Sequence, residues 1–207
     1  MLIDAGPDCL WAGATIEHHA IVTTPLPDDA ELMQRIARGD ALAYRGMVDR
    51  HLNRIARFAG RLLGNPTEAE DVAQETFLRL WTQAAQWTPK AQPKTWLYRV
   101  ARNLCIDRLR KQHPTMDNVD QQATHEGPGS LFQRKRTAQQ VEGALLALPE
   151  RQRAALTLVH YEGLAATEAC AVLDLSVDAL ESLLARGRRS LREQLRDLAQ
   201  PSDGEQP

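Results

Sequence analysis

The chain has 207 residues, 43% of them hydrophobic and 5% aromatic, with three cysteines and a formal net charge of −2. That length suits one medium domain or two small ones, and the apolar share is ordinary for a folded chain. There is no run of about 18 apolar residues to span a membrane and no positive N-terminal region of a secretory signal, so a cytoplasmic protein without membrane insertion is expected.

The modest net charge hides a segregation. Residues 1–34 carry six acidic side chains and no Lys or Arg, and 201–207 add two more acids, which leaves 35–200 with 25 basic against 19 acidic groups. Local basic stripes govern phosphate contact more than the total charge does. Cys9, Cys105 and Cys170 lie far apart without a CxxC spacing, which reads as reduced thiols. Cys9 with His18 and His19 fits no compact metal site, so neither metal nor cofactor is expected.

In chain order, residues 1–27 lack periodicity and read as a disordered extension. Asp28 or Asp29 offers an N-cap for a helix over about 29–38, and a second helix over about 41–63 ends at Gly64. Asn65–Pro66–Thr67 breaks the chain, and Thr67 with Glu70 has the form of a capping box. The helix it opens, to about Gln83, repeats apolar residues at Ala69, Val72, Ala73, Thr76, Phe77, Leu80 and Trp81. A loop with two prolines spans 86–93, and a fourth helix covers about 94–111. Residues 112–133, rich in breakers and polar groups, form a flexible linker. A second helical domain is expected over 134–199, followed by a tail at 200–207. In it, Pro149 opens a helix that Gly163 ends. A short helix at Thr167–Leu173 and a turn at Asp174–Ser176 lead to a long helix capped by Ser176. Val177, Leu180, Leu184, Leu191, Leu195 and Leu198 supply that helix with its buried stripe. The fold class is all-α: two small helical domains, 28–111 and 134–199.

Three constellations carry chemistry. On the fourth helix Leu97, Val100, Ala101 and Leu104 share one face, while Arg99, Arg102, Asn103 and Arg110 project from the other. A basic face beside Trp96 and Tyr98 can neutralise phosphates while a ring receives a base, and Asn103 offers both donor and acceptor. A solvated amphipathic helix explains the same pattern equally well. On the third helix Asp71, Gln74 and Glu75 lie near Phe77 and Trp81, which suits either a protein interface or a core helix. The C-terminal segment reads as a helix–turn–helix, whose second helix enters a major groove. Arg186, Arg188, Arg189 and Arg192 can meet phosphate or guanine edges there. No phosphate-cradling Gly loop, nucleophile–base pair or paired-carboxylate site appears, so an enzyme is not expected.

Together, AEDVAQETFLRLW, KTWLYRVARNLCIDRLRK and the stretch from LPERQR to ARGRRSL resemble, in order and spacing, the extracytoplasmic-function (ECF) sigma factors of the sigma-70 family, over about residues 28–197. The resemblance implies a stress-response transcription factor that partners core RNA polymerase and promoter DNA under an anti-sigma factor. Asp71, Gln74, Glu75, Phe77, Leu80 and Trp81 would meet the polymerase. The loop 86–95 and Asn103 would hold a base flipped from the −10 element, supported by Trp96, Tyr98, Arg99, Arg102, Arg110 and Lys111. Ser182, Arg186, Arg188 and Arg189 would face the −35 element. The chain departs from the family pattern at Glu181 and Leu183, where basic residues are frequent, and at Cys170, where an aliphatic residue or Ala is more usual. Glu181 and Leu183 lean toward an alternative, a sigma-like decoy that sequesters an anti-sigma factor without reading DNA; a stand-alone helix–turn–helix regulator would leave the third helix unexplained.

Overall fold

The computed structural model describes residues 27–87, 92–112 and 139–199. The expected extension up to residue 26, residues 113–133 of the expected linker, residues 134–138 of the expected second domain and the tail from 200 lie outside these. Every regular element among the described residues is helical.

The first four helices form a bundle. Helix α1 (Asp29–Ile36) starts where the Asp28 carboxylate accepts from the Glu31 amide at 2.7 Å, with Asp29 and Glu31 complementing the positive end of the helix dipole. Asp40 caps α2 (Ala41–Leu63) by accepting from the amides of Leu42 and Ala43. These bonds, the Ala43 amide first, hold its carboxyl below the usual range. Along α2, Met47, His51, Ile55, Phe58 and Leu62 recur every three or four residues and are buried. Helix α3 (Pro66–Gln83) departs from expectation at its start. Its cap is Asn65, which accepts from the Glu68 amide with Pro66 in the first helical turn, and not Thr67. Proline is suited to that turn because no intrahelical partner waits for its missing N–H. A short 3-10 turn (Ala84–Gln86) follows, and then α4 (Pro93–Gln112).

Asp29 also ties α1 to α2, accepting from Arg50 at 3.1 Å and lying 2.7 Å from Nε2 of His51. The bond to His51 is the main reason its carboxyl is held below 3.8, its usual value. A depressed carboxylate stabilises the fold above its unfolded pKa, and that stability drains away as pH falls through the folded value. Asp29→Asn is therefore expected to lower stability at neutral pH and to flatten the acid limb of the unfolding curve below about pH 4. Chemical denaturation repeated from pH 2 to 6 checks this; an unaltered acid limb would mean that the clamp adds nothing.

The second group of helices comprises α5 (139–146), α6 (Glu150–Leu156), α7 (Ala166–Leu173) and α8 (Val177–Ala199). Pro149 stands just before α6. After α6 the helix widens into a π turn over Thr157–Tyr161, with the Glu162 amide bonded back to Thr157, and ends at Gly163 in the left-handed region (φ 66°). The turn between α7 and α8 puts Asp174 at φ 58°, and Ser176 caps α8 through the Ala179 amide. Gly187 lies inside α8, where glycine costs about 1 kcal/mol relative to alanine. A Cβ there would come within 2.8 Å of Leu156, so its absence lets α8 approach α6. The stripe of α8 is shorter than expected: Leu180 and Leu184 are buried and Leu191 packs on the core, but Val177 is exposed. The Leu198 side chain lies outside the described set.

The two groups are packed together. Helix α4 lies against α7, and α2 against α6 and the π turn. One apolar cluster runs through both, from Leu104 and Cys105 of α4 to Leu145, Leu148 and Leu156.

Candidate nucleic-acid and polymerase interfaces

Helix α4 presents two polar lines. At 100° per residue, Arg99, Asn103 and Arg110 fall on one line and Lys94, Tyr98 and Arg102 on another. Arg99, Asn103, Arg110 and Lys111 are exposed. The second line faces the helix–turn–helix. Tyr98 is only 1% exposed, its ring set edge-on to Phe58 at 5.2 Å and its hydroxyl donating to Glu162 Oε2 at 2.7 Å. Burial, and then the bond to Glu162, raise its pKa. Of the DNA-facing residues expected on this helix, Tyr98 is thus a sealed core residue in this arrangement. Arg102 is mostly covered, with Nε 3.6 Å from Glu150 Oε1, and Lys94 Nζ stands 3.9 Å from Glu168 Oε2. Arg99 reaches across to donate to the carbonyl of Ala171 at 2.7 Å.

Trp96 is half-buried. With Trp87, Gln86, Met33 and Leu80 it lines a cavity of about 160 Å³ beside the start of α4. The indole N–H of Trp87 is buried without a hydrogen-bond partner. Residues 88–91 of the expected base-holding loop lie outside the described residues.

Helix α3 divides differently from the sequence expectation. Phe77 (2% exposed) and Leu80 are core residues on the side of α3 packed against α2 and α4, and neither is on its outward face. The outward face carries Asp71, Gln74, Leu78 and Trp81 instead, the last two 55% and 40% exposed. Glu75 is half-covered and bonded to Arg79 at 2.9 Å. Trp81 is held edge-on against Tyr44, with ring centres 5.1 Å apart. Leu78 went unnoticed in the sequence, although it follows Asp71 by seven residues and Gln74 by four, the spacing of a single helix face.

On α8, Ser182, Arg186, Arg188, Arg189 and Arg192 are all exposed, and Arg186 is steadied by a bond to the Ser182 carbonyl at 3.2 Å. Glu181 is exposed in the same region, while Leu183 packs against the core. Leu183 is therefore a packing residue rather than a missing groove contact. Cys170 and Cys105 are buried free thiols, and burial pushes Cys105 up to about 12, which keeps it a protonated thiol.

The architecture is thus a bundle ending in a basic helix, followed by a helix–turn–helix with an arginine-rich second helix. Residues 47–115 match the family model of sigma-70 region 2, and residues 138–191 that of sigma-70 region 4. The ECF RNA polymerase sigma factor SigW of Bacillus subtilis is 31% identical over 179 residues, covering 80% of this chain and 96% of its own length. SigM of Mycobacterium tuberculosis is 32% identical over 168 residues, covering 79% and 82%. Among solved structures, CnrH in complex with the cytosolic domain of CnrY superposes with a TM-score of 0.65 at 28% identity, over 83% of this chain and 99% of that one. RpoE in complex with the anti-sigma factor NepR, from Bartonella quintana, shares the fold at 23% identity with a TM-score of 0.59, over 74% and 96%. The chain belongs to the ECF sigma factors. It is an alternative sigma factor, which directs RNA polymerase to promoters and is not itself an enzyme.

Proposed function

We propose that the outward face of α3, with Leu78 and Trp81 as its apolar anchors, binds core RNA polymerase, and that α4 and α8 read the promoter at two separated sites. The observation that carries this reading is the segregation of surfaces. An acidic and aromatic face lies on α3, and basic faces lie on α4 and α8, all on helices whose opposite sides are buried. Aromatic anchors with polar surroundings suit a protein partner, and exposed arginines suit phosphate. The solvent line of α4 follows the backbone of the opened non-template strand. The cavity walled by Trp87 and Trp96 receives a flipped base, which stacking on the rings would hold against the cost of unstacking. Ser182, Arg186, Arg188 and Arg189 lie in the −35 major groove, where Glu181 favours a cytosine amino group over a phosphate.

The protein acts in the cytoplasm, and an anti-sigma factor holds it in check. Support comes from the relatives, which are RNA polymerase sigma factors, and from CnrH, a solved relative captured with the cytosolic domain of another protein, CnrY.

Single-round transcription with core polymerase, this protein and a pool of promoter fragments tests the reading. Transcripts from a defined subset, with shared −10 and −35 sequences, are the expected result. Tight binding to a purified anti-sigma factor without binding to core polymerase would instead establish the decoy.

A further inference from the structure

We infer that the free protein is self-inhibited by an acidic latch. The helix–turn–helix half presents carboxylates to the cationic groups of α2 and α4, and Glu162 is the residue that holds the two halves shut. This rests on the reading of α4 as a strand-binding helix.

The geometry is specific. Glu162 follows the π turn of the helix–turn–helix half, yet its side chain, only 3% exposed, is bound wholly by the other half. Tyr98 donates to Oε2 at 2.7 Å and Arg61 to Oε1 at 3.3 Å. Arg54 donates to the Glu162 main-chain carbonyl at 2.7 Å, with its Nε 3.6 Å from Oε2. The Arg61 guanidinium also lies 4.4 Å from the centre of the neighbouring Tyr161 ring. A buried carboxylate is tolerable only when paired and hydrogen-bonded, and all of Glu162's side-chain partners here come from across the seam.

Around this centre the pattern repeats. Glu150 stands against Arg102, Glu168 against Lys94, and Asp174 against Arg99 at 3.7 Å. Of these three cations, Arg99 belongs to the line of α4 that follows the opened strand, and in the closed form it faces a carboxylate. The seam is also imperfectly satisfied. Arg102 Nε and Glu150 Oε1, which face each other across it at 3.6 Å, are buried without hydrogen-bond partners. Such orphans weaken a join, as suits one that must release.

Release is required by distance. Elements named for positions −10 and −35 lie about 25 base pairs apart, or about 85 Å at 3.4 Å per pair. In the closed form α4 and α7 are in contact. Only the open chain reaches both elements, so the closed fraction lowers the apparent affinity for DNA in proportion.

The test compares the full-length protein with Glu162→Gln and Arg61→Gln. Neither residue is assigned a contact with DNA or polymerase. Solution X-ray scattering is expected to show the radius of gyration rising by at least about one-fifth in both variants. The affinity for a fluorescent mixed-sequence single-stranded DNA is expected to rise at least about three-fold. Open-complex formation with core polymerase already bound is expected to stay unchanged. Circular dichroism reports retained helix, and if Glu162→Gln loses helix, Arg61→Gln carries the same test. A folded variant with an unaltered radius overturns the latch, whatever its DNA affinity. Failure of the unsubstituted protein to support transcription would sink the functional reading instead, and the two failures are therefore distinguishable.

Discussion

Replacing Leu78 and Trp81 together by alanine is expected to lower the affinity for core RNA polymerase by at least about 30-fold, with the fold intact. An aromatic anchor at an interface centre is worth about 2 kcal/mol or more on truncation, and 1.4 kcal/mol is ten-fold in affinity. Both side chains are substantially exposed, so their loss removes little from the core. Trp81 gives up its edge contact with Tyr44, a modest loss next to the expected interface term. Phe77→Ala is the contrasting variant. Phe77 sits in the core, and its truncation is expected to cost about 3–5 kcal/mol of stability. Fluorescence titration of labelled core polymerase, alongside thermal unfolding, separates the two. Unchanged affinity in the folded Leu78/Trp81 variant would move the polymerase contact off α3.

The second large effect concerns strand separation. Arg99→Ala, Asn103→Ala and Arg110→Ala combined are expected to reduce open-complex formation at least about ten-fold at constant core affinity. A side chain reading a base edge is worth about 1–3 kcal/mol, which already brackets a ten-fold loss for Asn103. Removing two phosphate contacts should also reduce the salt dependence, by about 1.4 in the slope of log affinity against log salt for single-stranded DNA. Permanganate footprinting of promoter DNA across a salt series reads both quantities. Full opening by the triple variant would show that the strand follows the Lys94–Tyr98–Arg102 line, uncovered when the seam opens.

Much of the fold is legible along the chain because helix signals are local. Asp28, Asp40, Gly64, Gly163 and Ser176 punctuate the helices where cap chemistry requires. The Thr67 cap fails for an equally local reason, since Asn65 competes two residues earlier with a better acceptor ahead of Pro66. The order and spacing of the three family segments are also readable along the chain. Which side of each helix is buried is less so. On α3 an apolar residue marks either core or interface, and only packing against α2 and α4 puts Phe77 and Leu80 in the core and leaves Leu78 exposed.

From its order of residues alone this protein is determined to be all-helical, with a basic helix in each half and the motif order of an ECF sigma factor. These follow from periodicity, capping and motif order, each contained within a short stretch of chain. Tertiary structure alone decided that Tyr98 is sealed, that Leu183 packs inward, and that Glu162 meets Arg54, Arg61 and Tyr98 from 108, 101 and 64 residues away. The physical reason is that a carboxylate's partners are set by which surfaces meet, and a meeting of two helix groups across a linker leaves no periodic trace in either.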